Sequence, residues 1–99
     1  MEKTIQLRHP AGKKAVSMDV KKYELLKKSA LHRLKIVGAS TQSEILKAIK
    51  EDFRKNKTKF EGSVEWHFEW VKLDLEANKI IARIPKTSPL KYTLIKPAR

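Results

Sequence analysis

"GSVEWHFEWVKLDLEANKIIARI", residues 62–84, begins as a helix and ends as a strand. Ser63 suits an N-cap, because its hydroxyl accepts a bond from a free amide in the first helical turn. At about 100° per residue, Val64, Phe68, Val71 and Leu75 fall on one side, a stripe fit to face a core. After Asn78, "IIARI" is β-rich. Residues 63–79 carry Glu65, Glu69, Asp74 and Glu76 against Lys72 and Lys79, a net −2 in a chain of net charge +12. Why would a strongly cationic chain gather acids on one helix?

The same helix has a second apolar stripe. Trp66, Trp70, Leu73 and Ala77 lie nearly opposite the first, and a surface helix needs only one. Three coverings are open. The N-terminal arm could fold across it with Ile5, Leu7 and Val16. A second copy or a partner protein could dock on Trp66, Trp70 and Leu73, since Trp is a frequent interface anchor. The rings could instead stack on bases or wedge into a groove.

Upstream, "RKNKTK" (residues 54–59) is polar and basic, a loop. Before it, "STQSEILKAIKEDF" has capping-box spacing at Thr41 and Glu44 and a buried side of Ile45, Ile49 and Phe53. Earlier still, Asp19 caps "DVKKYELLKKSALHRLKIV", whose Val20, Tyr23, Leu26, Ala30, Leu34 and Val37 form one stripe, and Gly38 ends it. Residues 1–18 contain one short alternating run and the turn "HPAGKK", read as an arm or short strand. Downstream, "IIARI" and "LKYTLI" flank "PKTSP", the pattern of a β-hairpin with a basic tip. The expected organisation is one domain: arm 1–18, three-helix core 19–79, hairpin 80–95.

Three helices followed by a two-stranded hairpin resembles the winged helix-turn-helix domain, an α+β fold. Within it, "LDLEANKIIARI" is similar to the L-E-x-x-G-L-I-x-R run that joins recognition helix to wing in many bacterial regulators. Leu75, Glu76, Ile80, Ile81 and Arg83 match that run. Lys79 stands where the run usually has Gly, and Asn78 could take the left-handed cap instead. The whole chain, from "LRHPAGKK" through "FEGSVEW" and "VKLDLEA" to "SPLKYTL", also resembles a small family of uncharacterised prokaryotic proteins.

The winged-helix resemblance implies nucleic-acid binding. The third helix is a poor guest among phosphates at net −2, and between its stripes it offers only His67, Lys72 and Glu69 for readout. The cations lie around it: Arg54, Lys55, Lys57 and Lys59 before it, Arg83, Lys86 and Lys91 after it, in a segment 80–99 of net +5. In a winged helix these segments flank the third helix as loop and wing, where phosphate contacts position a protein without reading sequence. The expectation is a small DNA-associated regulator binding duplex DNA with weak specificity. The alternative is an interaction or dimerisation module using Trp66, Trp70 and Leu73.

Other classes find little support. The chain has no cysteine, which removes disulfides and thiolate metal sites and suits a reducing cytoplasm. No signal-peptide pattern or long apolar run occurs, and no membrane role is expected. His9, His32 and His67 are scattered, Ser63 and His67 lack a third partner, and no Gly-rich phosphate loop exists. No enzyme activity, metal or cofactor is expected.

Overall fold

A computed structural model of the chain describes residues 3–95. In chain order these form β1 (Thr4–Gln6), β2 (Ser17–Asp19), α1 (Val20–Val37), β3 (Ser40–Thr41), α2 (Gln42–Lys55), α3 (Val64–Ala77), β4 (Ile81–Ile84) and β5 (Lys91–Leu94). The architecture is α+β: three helices and two small antiparallel sheets. One hydrophobic cluster runs from Leu7 to Tyr92.

Each helix begins where the sequence provides a cap. The Asp19 carboxylate accepts from the Lys22 amide at 3.2 Å. Thr41 and Glu44 close a full capping box, at 3.1 Å and 2.8 Å. Ser63 Oγ accepts from the Trp66 amide. The predicted stripes point inward: Tyr23, Leu26, Ala30 and Leu34 from α1, Ile45, Ile49 and Phe53 from α2, Phe68, Val71 and Leu75 from α3 are buried. Each such large side chain contributes roughly 1.5–3 kcal/mol of burial. Val37, expected on the α1 stripe, is instead exposed, because Gly38 ends the helix beside it.

The ends of α2 and α3 share one geometry. Past α3, the Ile80 amide bonds to the Leu75 carbonyl and the Lys79 amide to that of Glu76. Past α2, Thr58 bonds Phe53 and Lys57 bonds Arg54 in the same way. This is the Schellman closure, which requires one left-handed residue. After α3 that residue is Lys79, at φ 59°, while Asn78 stays at φ −87°. The cap suggested for Asn78 therefore falls one residue later.

The arm is more ordered than a single strand. β1 and β2 pair antiparallel, with Ile5 opposite Met18, and Leu7 and Met18 are buried. At the other end, the hairpin of β4 and β5 gains a third strand. β3, the two residues before α2, pairs with β5 to give the order β3-β5-β4. Anchored on both sides, β5 ties the hairpin to the start of α2.

Candidate nucleic-acid interface

The acids of α3 have partners inside the fold. Asp74, 2% exposed, accepts from the Tyr23 hydroxyl at 2.6 Å and from the Arg8 amide at 2.8 Å, joining α3 to α1 and to the arm. Burial first, and then this bond to Asp74, push the Tyr23 phenol well above its ordinary range. Glu69 accepts from Gln42 of α2 and pairs with Lys72. Glu65 pairs with Lys50 of α2 at 2.7 Å, and Glu76 with Arg83 of β4 at 2.8 Å. These carboxylates bind α3 to its neighbours, which answers the question of the acids.

The candidate cations separate into groups. Lys55, Lys57 and Lys59 are exposed at the end of α2 and in the connection leading to α3. Arg54 is exposed beside them, and its hydrogen bond to Glu51 raises its pKa. Lys86 is exposed in the β4–β5 connection. Arg83 shares the sheet face of Tyr92, its cross-strand partner, and is half exposed although bonded to Glu76. The α2–α3 and α3–β4 connections leave from opposite ends of α3, which at 14 residues is ~21 Å long.

Three expected contacts are placed elsewhere. Lys72 is only 4% exposed. Its ammonium bonds Gln42 Oε1 and the Tyr92 hydroxyl, each at 3.2 Å, and pairs with Glu69, so it cannot reach a phosphate. Helical spacing put Lys72 between two apolar stripes, but Tyr92 and Gln42 cover that interval. Lys91 neighbours Tyr92 on β5, whose ring is buried on the core face, so Lys91 points to the opposite face. There it contributes to lowering the Glu44 pKa, behind the Thr41 amide bond that dominates and together with Arg33. His67 is folded back on its own helix start. Its Nδ1 donates to the Ser63 carbonyl at 2.7 Å, and its ring meets Phe60 and Trp66 edge-on. Gly62, at φ 90°, makes room: a Cβ there would stand 3.0 Å from the imidazole.

His67 belongs to an aromatic chain. Phe53 stacks on Phe60, which meets His67; Trp66 follows, then Trp70 at a 6.4 Å centroid separation. Lys22 of α1 lies over Phe60 at 5.5 Å. Trp70 and Leu73 are half-buried, and Trp70 packs against the core, whereas Trp66 is 50% exposed. The second stripe is thus covered at Trp70 and open at Trp66. Lys79, exposed just past α3, is a further cation outside the set expected from the sequence to contact phosphate. The signal was its position in the L-E-x-x-G run.

Among the described residues, no group of three or more His, Asp or Glu side chains could hold a metal ion. No helix among them is long and apolar enough to cross a membrane. Lys96 and Arg99, part of the basic C-terminal segment, lie outside the described residues.

The fold and these side chains define an α+β chain with a carboxylate-pinned third helix and exposed cations in the connections around it. The chain belongs to the DUF6958 family, a family of unknown function, whose profile matches residues 4–92. No curated protein matches the chain at a significant level, and no solved structure does.

Proposed function

We propose that the chain is a winged-helix nucleic-acid-binding protein, a small DNA-associated regulator that contacts phosphates through basic connections rather than through side chains of α3. One observation carries the reading. The α3 acids are spent on partners within the fold, so the exposed cations in the connections at either end of the helix face no competing free carboxylate from it. The element order, with the hairpin following α3 and tied through β5 to β3, supports the winged-helix assignment. Phosphate contacts of this kind give duplex binding with weak sequence preference. The same reading assigns the protein to the cytoplasm, with a binding rather than a catalytic role.

The test is anisotropy of a labelled DNA duplex at about 50 and 200 mM salt, a range over which several phosphate contacts lose much of their affinity. Lys59→Glu/Lys86→Glu should weaken binding strongly. Lys91→Glu, on the other sheet face, should weaken it far less. Absence of binding at the lower salt would sink the proposal.

A second reading rests on Trp66. A half-exposed indole held edge-on by Trp70 and His67 is a ready anchor for a protein partner or a second copy. Light scattering across protein concentration, with and without Trp66→Ala, tests the self-association form. A mass that stays monomeric throughout rejects that form.

A further inference from the structure

Three non-glycine residues among those described adopt positive φ, and all three are lysines: Lys57 at 52°, Lys79 at 59° and Lys86 at 63°. An L side chain in this conformation crowds its own carbonyl, whereas glycine enters it freely. Each of these lysines therefore occupies a position where glycine would relieve the backbone. Each is also exposed, and none has an ion-pair partner among the described residues.

Their positions are not arbitrary. Lys57 lies in the connection entering α3, Lys79 in the connection leaving it, and Lys86 in the turn between β4 and β5. At Lys57 and Lys79 a cation has a local advantage, since a positive charge just past a helix C-terminus is favoured by the helix dipole. Lys86 follows a strand and has no helix to answer to. A charged side chain in a strained backbone conformation, exposed and without an ion-pair partner among the described residues, points to a partner outside the fold.

We propose that Lys57, Lys79 and Lys86 are phosphate contacts, a set drawn from the connections before and after α3 and from the β4–β5 turn. The inference rests on the nucleic-acid reading and deepens it by naming residues and backbone geometry. It adds Lys79, and it makes a prediction that a merely solvated lysine does not share: replacement by glycine should stabilise the fold and weaken binding together.

The 99-residue chain is compared with K86G, K86Q and the triple variant K57G/K79G/K86G, by thermal unfolding and by anisotropy of a labelled duplex. K86G should raise Tm by about 2–5 °C. It should also lower affinity roughly ten-fold at about 50 mM salt and reduce the log–log salt slope by about 0.9. K86Q removes charge while keeping the strained backbone, so it should lose the same affinity without the gain in Tm. The triple variant should lose nearly three units of slope. A triple variant that binds as tightly as the parent overturns the inference. If that happens while Lys59→Glu still weakens binding, only this inference falls. If the parent itself fails to bind duplex DNA, the nucleic-acid reading falls with it.

Discussion

Along α3 the carboxylates meet donors from α1, α2, the arm and β4, while Lys57 and Lys59 before it, Lys79 after it and Lys86 in the β4–β5 turn meet no acid among the described residues. Opposite charges serve opposite directions. The acids, buried at Asp74 and exposed at Glu65, turn to partners within the fold and hold one helix against four neighbours, and the cations look outward. A net charge computed over a helix says nothing of this division, because a paired carboxylate has little field left for a distant ligand. Local charge balance is thus a poor guide to whether α3 is accessible to a polyanion.

The largest expected effect follows from removing an inward group. Asp74→Ala leaves the Tyr23 hydroxyl and the Arg8 amide without their acceptor, and should cost about 3 kcal/mol. For a chain of this size that is a fall in Tm on the order of 15 °C, read by calorimetry or circular dichroism. Surviving folded protein should still bind duplex DNA, since Asp74 faces no ligand. Unchanged stability would break the division between inward acids and outward cations.

Lys72→Met is expected to cost less, about 1 kcal/mol, although Lys72 is as buried as a core residue. Methionine keeps the aliphatic stem. Glu69 is 45% exposed in its side chain and can turn to water once its partner is gone. The Tyr92 hydroxyl and Gln42 Oε1 each lose a donor, and half-buried Gln42 can turn to water, so the buried Tyr92 hydroxyl carries most of the cost. DNA affinity should be unaffected, which distinguishes this lysine from those in the connections. A loss of affinity matching that of K86Q would return Lys72 to the interface.

Lys59→Glu/Lys86→Glu reverses the pattern. Exposed substitutions away from special contacts change stability by within about 0.5 kcal/mol, so Tm should hardly move while duplex binding collapses. Together the three variants separate what keeps α3 in place from what surrounds it.

Much of this layout was legible in the sequence. The three caps, the inward stripes and the hairpin are local features, written in residues a few positions apart, and apart from Val37 they appear where the sequence pattern puts them. What escaped were residues whose fate depends on distant partners. Lys72 looked like a surface cation because nothing within a turn or two reveals Tyr92, twenty residues on. Asp74 looked like one more helix acid because Tyr23 lies 51 residues away. Strand register decided Lys91: a shift by one residue would have turned it to the face of α3. Lys79 was the instructive miss. The backbone demand for a left-handed residue was readable from the run it interrupts, and the residue meeting that demand is the lysine itself, at φ 59°.

The smallest expected effect contrasts two acids on α3 itself. Glu65 is exposed, and the hydrogen bond from Lys50 holds its carboxyl below the ordinary value of 4.5. Glu44 and Glu51 are likewise lowered, chiefly by the Thr41 amide and by Arg54. A carboxyl whose pKa is lower in the folded chain than in the unfolded one contributes stability above the unfolded value and loses it as pH falls through the folded value. Tm should therefore stay level from neutral pH to near 5 and decline below about 4.5. Because all three groups are solvent-exposed and screened, the decline should be shallow. Glu65→Gln should flatten it slightly and leave the neutral-pH Tm almost unchanged, in contrast to the large fall expected for Asp74→Ala. If Glu65→Gln instead destabilised the fold as much at neutral pH, the outer ion pairs would be as structural as the buried bonds. The contrast between the two ends of α3 would then reduce to one of position alone.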